Sequence, residues 1–326
     1  MHNWRTKILG VSSLCLLLFS TTLPVQAKPG HTSTKIYERA KKELPKDWYE
    51  LYRIIDRVAR ANGYDQRPWR LVVIPQYKIN AFATDVNLIA MYSGIIDHLN
   101  GDYSALACVV AHEMGHHEKR HIAISQAQKT QLVAKIQEEA RREVLGEAKA
   151  AQAEATTTII GGNIVGRVDR TGIGSLASSF LRGQSKRRLR KAQKRINAIV
   201  EKKKRELEAR IAAQSRKHEF EADEVGYLAS VRAGFEPGGC LRAMEVLART
   251  PGAEFDSTHP AVPKRIEALK SLMKRYPSQT LKREGEARIA KSQALTYDLS
   301  RDGKSLRINS RYGGSNPSDF DDLFNK

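Results

Sequence analysis

Residues 102–121 read DYSALACVVAHEMGHHEKRH, and this stretch decides the fold. Asp102, Tyr103 and Ser104 supply capping chemistry, so a helix is expected from about Ala105 to His121. Its first half, Leu106-Ala107-Cys108-Val109-Val110-Ala111, is apolar all round, which suits a helix that can be buried. Next comes His112-Glu113-Met114-Gly115-His116. Residues four apart share one helix face, so the two imidazoles can bind a single ion. Glu113 sits beside that face, where its carboxylate can reach a water on the ion.

A second copy follows at once, His117-Glu118-Lys119-Arg120-His121. It carries two cations between its histidines, and like charge beside a divalent ion at reduced dielectric is repelled by several kcal/mol, as an order of magnitude. The metal is therefore assigned to His112 and His116. His117 and His121 lie beyond the metal face, behind the ligands or at the surface.

Catalytic zinc takes three protein ligands and keeps a fourth position for water. One class of zinc proteases uses a histidine six residues after the second, with an intervening glycine. Those positions hold Ile122 and Lys119, which excludes it. The other class draws a glutamate from a later helix. Ser215-Arg216-Lys217-His218-Glu219-Phe220-Glu221-Ala222-Asp223 offers one: Glu219 and Asp223 share a face, so Glu219 can ligate while Asp223 accepts the outer N–H of a ligand histidine, expected to be His112. Ala222, Gly226 and Ala229 are small enough for close packing against the first helix.

Around these two helices the chain divides into six stretches. Residues 1–27 pair Arg5 and Lys7 with a short apolar run ending Pro24-Val25-Gln26-Ala27, which reads as a secretory signal peptide. Residues 33–121 form the first part of the core: a helix over 33–62 split at Pro45, a buried strand at Leu71–Ile74, one or two strands within 79–96, and the motif helix. Residues 122–214 read as an inserted αα-hairpin with two arms of about 28 residues. Leu132, Val133, Ile136, Ala140, Val144 and Ala148 stripe the first arm. Leu189, Ile196, Val200, Leu207 and Ile211 stripe the second, and a glycine-rich segment containing Gly162 and Gly166 joins them. Residues 215–275 form the second part of the core. Residues 276–311 are a C-terminal extension with a β-hairpin around Asp302-Gly303. Residues 312–326 have the composition of a disordered tail. The fold class is α+β, mainly helical, with a small sheet.

The composition narrows the partners. The 326 residues hold 55 Lys+Arg against 36 Asp+Glu, a formal charge of +19. Fifteen of the basic residues and three acids fall in residues 182–217. No aromatic is interleaved there for base stacking, so nucleic acid is not an expected partner. Attraction to anionic lipid headgroups or acidic unfolded clients fits better, beside the plain reading of a solvated helix face. Cys108 and Cys240 remain after the leader. An exported chain permits a bridge, but nothing in their spacing demands one, and two buried free thiols are expected.

The ordered motifs resemble the zinc metallopeptidases of the HtpX, BepA and CAAX-prenyl-protease type. Asn80-Ala81-Phe82 followed by Tyr92-Ser93-Gly94-Ile95-Ile96 is similar to that family's edge-strand region. Ser257-Thr258-His259-Pro260 followed by Arg265-Ile266 is similar to its His-Pro segment. The likeness covers about residues 45–121 and 211–272, and the exported form points to the BepA-like branch. It implies a zincin-like core with one Zn2+ per chain, held by His112, His116 and Glu219, and Glu113 as general base. Asn80, Ala81 and Phe82 would pair with an extended substrate. His259 would steady the oxyanion or cover the zinc, and Arg265 would lie near the substrate. Protein or peptide substrates of the envelope follow, periplasmic in a Gram-negative source. A chaperone-like or membrane-surface adaptor that keeps the fold but seldom cuts is the competing reading; only the enzyme needs Glu113.

Overall fold

The computed structural model describes residues 29–84, 87–121, 126–161, 174–250 and 261–313. The proposed leader, the Gly162/Gly166 pair, the His-Pro segment with His259 and the tail beyond 313 lie outside these residues.

The chain opens with α1 (Pro29–Glu43) and α2 (Lys46–Asn62), parted at Pro45 as the missing N–H of proline requires. Helix α2 buries Leu51, Tyr52, Ile54, Ile55 and Val58 along one side. It ends at Gly63, whose φ of 76° belongs to the left-handed region that terminates helices. After a short 3-10 turn comes β1 (Trp69–Ile74), then β2 (Ala81–Thr84), β3 (Leu88–Tyr92), a short helix α3 (Ser93–His98) and the motif helix α4 (Tyr103–Glu118). Asp102 caps α4 by accepting the Ala105 N–H at 3.0 Å and also binds Arg242 at 2.9 Å. Burial of Ala105, Leu106, Ala107, Val110, Ala111 and Met114 sets α4 in the middle of the core.

The five strands form one mixed sheet in the order β2-β3-β1-β5-β4. Strands β1 and β3 run parallel, Leu71 opposite Ile89. The hairpin of β4 (Tyr297–Leu299) and β5 (Leu306–Ile308) turns at Asp302-Gly303 and joins the sheet antiparallel to β1, with Trp69 opposite Ile308. The C-terminal extension thus completes the core sheet. Strand β2 remains an edge.

Helices α5 (Gln126–Gly161) and α6 (Gly174–Arg232) supply the insertion. They meet along Ala140, Val144 and Ile196, flanked by pairs of Glu147 with Arg195 and Lys203 with Glu139. The second arm does not stop at residue 214. It runs into the helix carrying Glu219 as a single element of 59 residues, about 88 Å at 1.5 Å per residue. From Gln184 to Val225 there is no glycine or proline, so nothing in the chain breaks it.

Helices α7 (Gly239–Leu247), α8 (Val262–Arg275) and α9 (Ser278–Ile289) close the domain. The expectation of free thiols is corrected here: Cys108 on α4 and Cys240 on α7 form a disulfide, their Cα atoms 5.2 Å apart. Packing of α7 against α4 brings together two residues 132 positions apart in sequence.

Candidate metal centre

Helices α4 and α6 pack unusually close, and glycine is the reason. A Cβ on Gly115 would lie 2.9 Å from that of Val225, and one on Gly226 would lie 3.3 Å from the backbone of Cys108 and His112. With Ala222 and Ala229 on the same seam, the turn of α6 from His218 to Asp223 is pressed against the motif turn of α4.

That approach brings His112, His116 and Glu219 together, the one such donor group among the described residues. The two Nε2 atoms are 3.1 Å apart, and the Glu219 oxygens stand 3.6 Å from His112 Nε2 and 3.7 Å from His116 Nε2. Donors held ~2.0–2.2 Å from a tetrahedral ion are separated by ~3.3–3.6 Å, so these edges bracket a zinc-sized tetrahedron. Two imidazoles and one carboxylate also form the donor set of a catalytic rather than a structural zinc site. The residues present fit the ion that the chemistry calls for.

The surroundings act on the two imidazoles in opposite directions: at His112 burial lowers the pKa, but the carboxylates of Asp223 and Glu219 outweigh it and raise it above its ordinary value. Burial and the neighbouring His112 pull the His116 pKa down to about 3, which keeps its ring neutral across the working range. Burial pushes Asp223 up, but Arg265 and His112 outweigh it and hold the carboxyl below its ordinary value. Asp223 Oδ1 lies 3.0 Å from His112 Nδ1, on a line oblique to the ring N–H. Glu113 is buried between the two ligand histidines in sequence, and its charge helps to raise the pKa of Arg265.

The resemblance puts Arg265 beside the substrate; the structure buries it. Its guanidinium makes two 2.7 Å bonds to the Asp223 carboxylate and stands 3.3 Å from Glu219. A cation fixed between a ligand carboxylate and the carboxylate behind a ligand histidine positions both, and this was not legible without knowing that α8 crosses α6. Asn80, Ala81 and Phe82 lie at the edge strand, with Phe82 38% exposed and its ring tilted against that of Tyr92, centroids 6.1 Å apart. Of the second motif copy, His117 points at the Leu88 carbonyl, 3.2 Å away, and His121 lies under His116.

A helix-borne His-Glu-x-x-His pair closed by a glutamate from a second helix defines a metallopeptidase. The chain belongs to peptidase family M48, whose model matches residues 45–273. It is also similar to the mitochondrial metalloendopeptidase OMA1 of Arabidopsis thaliana, 29% identical over 82 residues. That alignment covers 24% of this chain and 17% of the plant protein, so the chain spans about a sixth of that relative's length. No solved structure gives a significant match.

Proposed function

We propose that this chain is a zinc endopeptidase of the cell envelope, of the exported BepA-like branch, acting on exported or misfolded proteins. The convergence of His112, His116 and Glu219 around a zinc-sized space, with Glu113 buried next to His112 on the same helix, carries the reading. Zinc supplies Lewis acidity, lowering the pKa of a bound water toward ~7 and polarising a carbonyl. Glu113 takes a proton from the attacking water and later delivers it to the leaving amine. Asp223 holds the His112 ring, and Arg265 holds Asp223 and Glu219 in place. Strand β2 lies at the edge of the sheet, where an extended peptide can add as a further strand, which gives affinity with little sequence preference.

The Cys108–Cys240 disulfide supports an oxidising compartment, and the basic leader followed by an apolar run supports export. Among the described residues no helix is long and apolar enough to cross a membrane. Attachment to an anionic lipid surface is assigned to the basic arm, where Arg187, Arg188, Arg190, Lys191 and Lys194 are exposed. Phosphatidylglycerol vesicles are expected to bind the protein at low salt and release it at high salt. Equal binding to neutral phosphatidylcholine vesicles would remove this part of the proposal.

The deciding experiment is metal exchange. Chelation is expected to abolish casein cleavage, and zinc at one equivalent per chain to restore it. Undiminished cleavage by metal-free protein would overturn the zinc reading. Tight zinc binding without cleavage of any unfolded substrate would favour the adaptor.

A further inference from the structure

The second motif copy repeats His-Glu-x-x-His, yet its residues do not assemble a second donor group. One of them does something else. Five helical steps of 100° would carry His121 about 140° round from His116, away from the metal face. The chain leaves the helix first. Arg120 adopts a left-handed conformation, φ 55°. The Arg120 N–H donates to His117 O at 3.0 Å and the His121 N–H donates to His116 O at 2.9 Å. This is the paired-bond helix stop normally built on glycine. An arginine at that position is strained, and such strain persists where the surroundings over-determine it. The result is that the His121 ring folds back beneath His116, their Nδ1 atoms 3.2 Å apart.

From there the contacts continue onto α6. His121 Nε2 is 2.8 Å from Glu221 Oε2. The His218 ring stacks flat on the His121 ring, centroids 4.1 Å apart and planes within 4°, which fixes the plane of the imidazole. Within one and a half turns, α6 supplies a ligand in Glu219, a partner for His112 in Asp223, a stacking surface in His218 and an acceptor in Glu221.

The proton positions follow from the ligand role of His116. Its Nε2 faces Glu219 and His112 and must carry a lone pair to bind an ion, so its proton is on Nδ1. His116 Nδ1–H therefore donates to His121 Nδ1. His121 must then carry its own proton on Nε2, and it donates that proton to Glu221. Every donor meets one acceptor, and the chain runs in a single direction from the metal face to a carboxylate.

We propose that His121, backed by Glu221, is a positioning residue of the metal centre that fixes the tautomer and orientation of His116. Each ligand histidine then has a carboxylate behind it: Asp223 directly for His112, and Glu221 through an intervening imidazole for His116. The second motif copy is the source of that imidazole rather than a second site. The inference rests on the zinc reading of the centre.

The test uses the full chain and measures zinc affinity by competition with a chromophoric chelator, together with the visible absorption of the Co2+-substituted protein. Loss of an outer partner of a ligand histidine weakens metal binding by roughly 10–100-fold. His121→Ala and Glu221→Ala are each expected to fall in that range and to alter the cobalt bands. The double variant should bind no more weakly than His121→Ala alone, because the two residues act in series. Glu221→Gln, which keeps an acceptor oxygen, should recover most of the loss. Melting of the metal-free proteins separates this role from a structural one and should stay near wild type for Glu221→Ala and Glu221→Gln. Affinity within about threefold of wild type for His121→Ala, or losses that multiply in the double variant, would overturn the inference. If His112→Ala and Glu219→Ala abolish binding while His121→Ala stays within about threefold of wild type, only the relay fails. If His112→Ala leaves zinc affinity unchanged, the zinc reading fails with it.

Discussion

Glu113→Gln is expected to reduce peptide hydrolysis by about 10²- to 10⁴-fold and to leave zinc content unchanged. The size follows from what glutamine lacks. It fills the same buried space and keeps a carbonyl oxygen, but it cannot accept a proton from water or return one to the leaving amine. The three donors do not include residue 113, so the metal should stay. Arg265 keeps its two bonds to Asp223 and its approach to Glu219, so loss of the nearby Glu113 charge should not unseat it. Turnover of an unfolded casein substrate, with zinc measured in the same preparation, checks both halves. Wild-type turnover in the glutamine variant would remove Glu113 from the chemistry. Loss of zinc would show that the substitution had disturbed the centre rather than its proton transfer.

Glu219→Ala is expected to strip the protein of zinc on dialysis, a loss well beyond the roughly 10–100-fold attributed to an outer residue such as Glu221. Removing one of three donors leaves two imidazoles 3.1 Å apart with nothing to close the site. Folding should survive, because Arg265 retains its paired bonds to Asp223 and no cation is left buried alone. Zinc content of Glu219→Ala and Glu221→Ala, purified side by side, decides the matter. Equal content in the two would refute the assignment of Glu219 as ligand.

The parts of this centre that were legible in the sequence are those set by local periodicity. His112 and His116 lie four apart on a helix whose apolar half announces burial, and Glu219 and Asp223 repeat that spacing on a helix lined with small residues. The split at Pro45, a strand at Leu71–Ile74 and the turn at Asp302-Gly303 were readable for the same reason, although of that strand's four residues only Leu71 is buried. Tertiary juxtaposition was not. Cys108 and Cys240 carry no spacing signal, and only the seating of α7 on α4 makes them partners. Arg265 looks like any basic residue on a surface helix until α8 lays it over α6. His121 sits in plain view in the motif, but its place depends on a left-handed arginine, a conformation that side chain does not advertise. The division at residue 215, between the inserted arm and the helix carrying Glu219, has no counterpart in the backbone of α6. Helix α9 went unread because it is polar and buries little beyond Leu281 and Gly285.

The unbroken course of α6 makes a lever of the basic arm. One end of a rod of about 88 Å is clamped in the core by Gly226 and its neighbours, and further along the arm Arg187, Arg188 and Arg190 are exposed. From Gln184 to Val225 the rod has no proline or glycine to flex at, so a tilt imposed on that part of the arm is delivered as torque to the turn bearing Glu219 and Asp223. Whatever grips the arm and whatever fills the donor triad therefore act on one stiff body, and each must alter the affinity of the other by the same factor to the extent that the body moves.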